Sequence, residues 1–220
     1  MRAKIRLQEI ATQIENVNVV ADIGADHGYL TKMLIEQGRA KHVIATDISK
    51  PSLQKTEMLA KRFGFENKIE TRVGDGLDPI FEEDKVEVCV IAGMGGYEII
   101  KILFSQDLKN IKIFVFQPAQ NASNLREFLT QNGFEIVFDE IVKDQKKFYS
   151  TMRAIKNSTN KKLQKSQILF GISCQNTKNP DFFEYLKEYI SKRQKLLSQK
   201  IETEKIKKEL EIALELLNKN

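Results

Sequence analysis

The sequence predicts an α/β fold: a mainly parallel, seven-stranded sheet followed by a C-terminal helical hairpin. Three observations predict it. Apolar runs of strand length alternate with amphipathic segments of helix length as far as residue 155. The runs are nearly continuous in Val, Ile and Phe, the pattern of strands covered on both faces. Beyond residue 180 the apolar spacing becomes helical and breaks its rhythm once, between Ile201 and Ile206, so two antiparallel helices fit better than one.

Each element has a local reason. Residues 3–15 place Ile5, Leu7, Ile10, Ala11 and Ile14 on one helical face, with Arg2, Lys4 and Arg6 at its start. Strands are expected at 17–23, 42–46, 69–73, 86–92 and 111–116. Helices are expected at 29–37, closed by Gly38, and from Ser49 to Phe63, closed by Gly64, with Ser49 as cap and Pro51 in the first turn. A helix at 97–103 follows the run Gly93-Met94-Gly95-Gly96, with Tyr97 expected to pack at its start. Asn121 or Ser123 is the expected cap of a helix at 124–132, closed by Gly133, before two final strands at 134–141 and 147–155. Residues 156–180 read as polar and irregular. The expected division is 1–156 as the ligand-binding domain and 157–220 as the helical domain.

Composition bounds the function. A chain of 220 residues holds one domain with a substantial core and an appendage. No apolar run approaches the length of a membrane span, and the first ten residues lack a signal-peptide core, so a cytoplasmic protein is expected. Cys89 lies in an apolar strand, Cys174 has no partner motif, and no zinc-ligand spacing exists, so no metal is expected. The net charge of +5 is uneven. Residues 1–150 carry 20 Lys and Arg against 22 Asp and Glu, and residues 151–220 carry 15 against 8. A basic tail suits either a polyanionic partner or a solvated helix.

The most informative stretch is residues 20–30, Val-Ala-Asp-Ile-Gly-Ala-Asp-His-Gly-Tyr-Leu. Strand, glycine-bearing turn and helix place backbone amides and a helix N-terminus against a ligand. A dinucleotide fingerprint would need glycines at 24, 26 and 29, but 26 is Asp and 29 is Tyr. A carboxylate at the pyrophosphate position repels it, which counts against a nicotinamide oxidoreductase. S-adenosylmethionine has no phosphate and a cationic end. Asp22 and Asp26 suit that end, Asp47 after the second strand suits a ribose diol, and Asp75 in Gly-Asp-Gly suits an adenine amino group.

With these residues in view, the chain resembles the bacterial tRNA (adenine-22-N1)-methyltransferases of the TrmK type. The resemblance rests on ADIGADHGYL at 21–30, GDGL at 74–77, IAGMGG at 91–96, Gln117-Pro118 and the pair Arg6-Leu7, and it spans the chain. It implies a class I, Rossmann-like methyltransferase domain and a C-terminal coiled-coil domain. It implies methyl transfer from S-adenosylmethionine to N1 of adenosine 22 in the D-arm of tRNA. Two departures stand out: Ala119 follows Gln-Pro where the family has Asn, and Asp47 replaces a common Glu.

On this reading Asp26 is the expected catalytic residue, stabilising the cationic product base or holding its N6 amino group. The expected cofactor contacts are Asp22, Gly24, Asp26, His27, Gly28, Tyr29, Leu30, Asp47, Ile48, Ser49, Asp75, Gly76, Gly93 and Met94. Arg6, His27, Gly95, Gly96, Gln117 and Pro118 are the expected substrate contacts. The glycines after the fourth strand replace the Pro-Pro-aromatic sequence of amino-methylating enzymes, which argues against N6 methylation. Lys192, Arg193, Lys195 and Lys200, with Arg2, Lys4 and Arg6, are the expected tRNA phosphate contacts. A monomer is expected. The alternatives are methylation of another RNA position or of a small molecule.

Overall fold

The computed structural model describes residues 5–105, 107–157, 162–199 and 204–219. The expected contacts Arg2, Lys4 and Lys200, and the hairpin turn, lie outside them. The elements run α1 (Ile5–Thr12), β1 (Val17–Ile23), α2 (Tyr29–Glu36), β2 (Ala40–Asp47), α3 (Lys50–Phe63), β3 (Ile69–Val73), β4 (Val88–Ala92), α4 (Gly96–Ser105), β5 (Ile113–Gln117), α5 (Ala122–Gln131), β6 (Phe134–Asp144), β7 (Lys147–Lys156), α6 (Lys165–Phe170), α7 (Pro180–Ser198) and α8 (Glu204–Lys219).

The seven strands lie in the order β3-β2-β1-β4-β5-β7-β6. β1 to β5 pair in parallel, and β7 is antiparallel to both β5 and β6. The chain builds outward from β1 to β3 and then returns to place β4 beside β1. That reversal leaves a crevice between the carboxyl ends of β1 and β4, where ligands of open α/β sheets bind.

Strand alternation divides the core. Ala21, Ile23, Cys89, Ile91, Phe114 and Phe116 face α4 and α5. Val20, Val43, Val88, Val90 and Val115 face α1 and α2. Both layers are nearly dry, so the central strands read as unbroken apolar runs. Cys89 and Cys174 are buried thiols, pushed up by desolvation, and behave as small hydrophobes.

Several helix ends follow the sequence. The Ser49 side chain accepts from the Ser52 amide, with Pro51 in the first turn, and Gly64 closes α3 in the left-handed region. Three expectations change. Asn121 caps α5 with left-handed backbone (φ 56°) and makes no side-chain cap bond. The stretch read as irregular contains α6. Tyr97 is exposed rather than packed.

The tail packs on the far end of the sheet. Phe170, Cys174, Phe182, Leu186, Ile190, Ala213 and Leu216 form one cluster with Ile141 of β6. Tyr189 of α7 donates to Glu209 of α8 (2.8 Å), as does Arg193 (3.1 Å), and Phe183 shares a surface depression with Lys219. α7 and α8 are therefore antiparallel. At the start of α7, Asn179 donates to the Ile141 carbonyl (2.8 Å) and Asp181 accepts from the Lys143 amide (2.7 Å).

A buried ion pair joins sheet and tail. Arg126 of α5 reaches both oxygens of Asp139 of β6 at 2.7 and 3.0 Å. It also donates to Ser150 of β7 (2.8 Å) and to the carbonyls of Ile168 and Leu169 (3.2 and 3.3 Å). Both charges are almost completely buried, so removing one strands the other. R126M is expected to lower stability by about 3–5 kcal/mol in urea unfolding. R126M/D139N is expected to recover part of that loss, because no lone buried charge remains.

Candidate active site

The loops at the carboxyl edge enclose a cavity of ≈ 750 Å³. The β1–α2 loop is shaped by backbone bonds rather than by its side chains. The amides of Gly24 and Ala25 both donate to the Thr46 carbonyl, at 2.8 and 3.0 Å. The Asp26 amide donates to Asp47 Oδ2 (3.2 Å), and the Asp26 carbonyl accepts from Thr56 Oγ1 (3.3 Å). Asp26 so held has φ 47°, a conformation Asp tolerates better than most residues. Its carboxylate is 68% exposed and lines the cavity, with His27 Nε2 3.7 Å away.

Asp22, at the end of β1, is the opposite case. It is 3% exposed and accepts from Thr31, from Oγ1 at 2.6 Å and from the backbone amide. Burial, helped by the negative Asp47, pushes its carboxyl up to about 6, against the pull of the Thr31 bonds. Asp47 uses Oδ2 for Asp26 and Oδ1 for the Ser49 amide (2.7 Å), which builds the loop and leaves further lone pairs. Asp75 is exposed at the mouth, after β3.

Across the crevice the β4–α4 loop is zipped to the β5–α5 loop. Gly93 donates to the Gln117 carbonyl (3.0 Å), Ala119 to Met94 (2.8 Å) and Gly96 to Gln120 (2.8 Å). A Cβ at Gly24 would overlap the Met94 methyl. A Cβ at Gly96 would overlap the Asn121 carbonyl. The loops thus pack too closely at Gly24 and Gly96 for any side chain there.

Most of the expected site residues meet here. Arg6, Asp22, Gly24, Asp26, His27, Tyr29, Leu30, Asp47, Ile48, Asp75, Gly76, Gly93, Met94 and Gly95 line the cavity. Five do not. Gly28 begins α2 at φ 69° against Thr56 of α3, and Ser49 caps α3. Gly96 holds α4 against the Asn121 carbonyl, and Pro118 is buried in the turn after β5. The buried amide of Gln117 accepts from Arg6 Nη1 (3.1 Å) and donates to the Arg6 carbonyl (3.2 Å) and Thr151 Oγ1 (3.1 Å). It fixes the arginine that lines the cavity. Glu98, Lys101 and Ile102 of α4 were not expected on the wall. Their i, i+3, i+4 spacing was the available signal.

The strand order and the acid-bearing crevice define a class I, Rossmann-like methyltransferase. The residues fit its cofactor, S-adenosylmethionine. A desolvated carboxyl and an exposed one await positive charge, and Asp26 stands where a pyrophosphate would need glycine.

Comparison with known proteins agrees. The family model for tRNA (adenine(22)-N(1))-methyltransferase, TrmK, matches residues 20–220. The chain belongs to that family. It is 35% identical to the Mycoplasma genitalium protein MG248 over 179 residues, 80% of each chain. It is 30% identical over 151 residues to the Bacillus subtilis tRNA (adenine(22)-N(1))-methyltransferase, 68% of this chain and 63% of that one. Among solved structures, Mycoplasma capricolum TrmK with S-adenosyl-homocysteine superposes with TM-score 0.87 at 25% identity, over 99% of both chains. Streptococcus pneumoniae Sp1610 with S-adenosyl-L-methionine gives 0.88 at 28%, over 97% of this chain and 98% of that one.

The raised Asp22 carboxyl has a stability consequence. The folded chain holds a proton that the unfolded chain releases near pH 4, so folding weakens as pH rises from about 4 to 6. Without ligand, D22N is expected to be more stable than the parent at pH 8 by about 1–3 kcal/mol. That gain should shrink below pH 6 in thermal melts. Calorimetry should show the same variant losing S-adenosylmethionine binding.

Proposed function

We propose that the protein transfers the methyl group of S-adenosylmethionine to N1 of adenosine 22 in tRNA, using the cavity at the β1–β4 crevice. The observation that carries this reading is the convergence of Asp22, Asp26, Asp47 and Asp75 from successive strand ends on one cavity, in a chain of this family. When bound, the cofactor supplies an activated methyl on a positively charged sulfur. Asp22, at the end of β1, accepts from the ammonium group of its amino-acid end. Asp47 accepts from the ribose hydroxyls, Ile48 covers the adenine, and Asp75 accepts from its amino group.

Adenine N1 carries its own in-plane lone pair, so no residue has to remove a proton before attack. The chain's task is to align the base and to receive the positive charge it acquires. Asp26 suits this role: its backbone is bonded on both sides, and its carboxylate is exposed at the mouth beside His27. His27, next to it, orients the base. The glycines at 93 and 95 keep the opposite wall low enough for a base drawn out of its helix, since N1 lies on the pairing edge.

The tRNA backbone is met by positive charge on the rim. Arg6 is locked by Gln117 and lies 5.6 Å over the Tyr149 ring. Lys192 and Lys195 are exposed on α7. Arg193, expected to join them, instead pairs with Glu209 and covers the Tyr189 ring at 3.5 Å, so it holds the hairpin together. We retain residues 1–156 as the methyltransferase domain and 157–220 as the helical domain, acting as a cytoplasmic monomer. No helix among the described residues is long and apolar enough to cross a membrane, and none of their side chains cluster as metal ligands.

The deciding experiment is methyl transfer to a tRNA transcript carrying adenosine at position 22. The guanosine-22 transcript should accept nothing; equal labelling of both would overturn the assignment. D26A is expected to lower turnover by about 10²–10³-fold, while its calorimetric affinity for S-adenosylmethionine changes little. K192A/K195A should weaken tRNA binding and flatten its salt dependence.

A further inference from the structure

Helix α4 leaves two aromatic side chains uncovered beside the cavity. Tyr97 is 57% exposed and Phe104 78%. The helix is otherwise well seated. Ile99, Ile102 and Leu103 are buried in the core, and its first amide is bonded to the Gln120 carbonyl. The exposure is therefore a property of one face rather than of a loose element.

That face adjoins the site. At about 100° per residue, Tyr97, Lys101 and Phe104 fall within roughly 60° of one another on the helix surface. Lys101 belongs to both surfaces, since it lines the cavity with Glu98 and Ile102. The stripe thus flanks the cavity wall around the helix surface and runs for about 10 Å along the helix axis.

Its chemistry suits single-stranded RNA. Drawing a nucleotide out of a helix leaves its neighbours without stacking partners, and aromatic faces replace them without regard to base identity. A cation between two such faces matches the phosphate that links successive nucleotides. A second copy of this chain fits poorly. Two side chains split by a lysine fall far short of the roughly 1,200 Å² buried in a stable interface.

We propose that Tyr97 and Phe104 form a stacking platform for the nucleotides flanking the methylated adenosine, Tyr97 taking the adjacent base. The proposal rests on the tRNA reading above and adds to it the residues that hold the splayed strand.

The test compares Y97A, F104A and Y97F with the parent protein. It measures methylation of the adenosine-22 transcript and tRNA binding at several salt concentrations. Each alanine variant is expected to raise KM and Kd for tRNA roughly five- to hundredfold. Affinity for S-adenosylmethionine and the salt slope should not move, because no phosphate contact is lost. Y97F should behave as the parent. Unchanged tRNA affinity in both alanine variants would overturn the platform while leaving the methyltransferase reading intact. Sedimentation showing a parent dimer that F104A splits would overturn it too, by assigning the stripe to a second copy. A parent protein that fails to methylate the transcript would overturn the activity and the platform together.

Discussion

One buried amide ties the working edge of this molecule together. Gln117 ends β5, and its side chain is saturated by Arg6 and Thr151. Its carbonyl receives Gly93 from the opposite loop. Four segments meet at this residue: α1, the β4–α4 loop, β5 and β7. An amide is suited to the task because it donates and accepts at once and carries no charge that burial would penalise. A glutamate there would lose the two bonds that Nε2 donates, to the Arg6 carbonyl and Thr151. The position of Arg6 at the cavity, and the height of the glycine loop, both follow from this bond set.

The site resolves an electrostatic conflict. It must attract a cationic cofactor and admit a polyanionic RNA. The carboxylates are graded by depth. Asp22 lies deep, with its carboxyl raised to about 6 and its charge readily neutralised, whereas Asp26 and Asp75 sit at the mouth. Arg6 and Lys101 stand on the wall around them. The buried acid is kept for the cationic end of the cofactor, while acids and bases stand side by side where the RNA enters.

Much of this was legible in the sequence, for physical reasons. Strands covered on both faces announce themselves as apolar runs, and five parallel strands put their loops on one edge. Acids after successive strands therefore converge whatever the details of packing. What stayed hidden depends on direction rather than periodicity. Gln117 read as a substrate contact because a motif does not show which way a side chain turns. Arg193 read as an RNA contact because charge does not reveal a partner sixteen residues away, Glu209. Glycines 28 and 96 belong to the same motifs as glycines 24 and 93, yet they are required by Thr56 and by the Asn121 carbonyl. The α6 turn escaped because six residues hold too little periodicity to rise above their polar surroundings.

The β6–β7 ribbon outruns the rest of the sheet. The last pair with β5 is Phe116 with Met152, and residues 147–151 continue with β6 alone for roughly 15 Å. At its outer end Lys143 is held by Asp181 through its amide and by Glu184 through its side chain, and the Phe148 ring meets Tyr185 edge-on. At its inner end Thr151 receives the Gln117 amide. The ribbon is in effect a cantilever, propped by the tail and anchored at the active edge, with Lys146 and Lys147 exposed at its tip. A load placed on that tip bears on α7 at one end and on the Gln117–Arg6 bonds at the other.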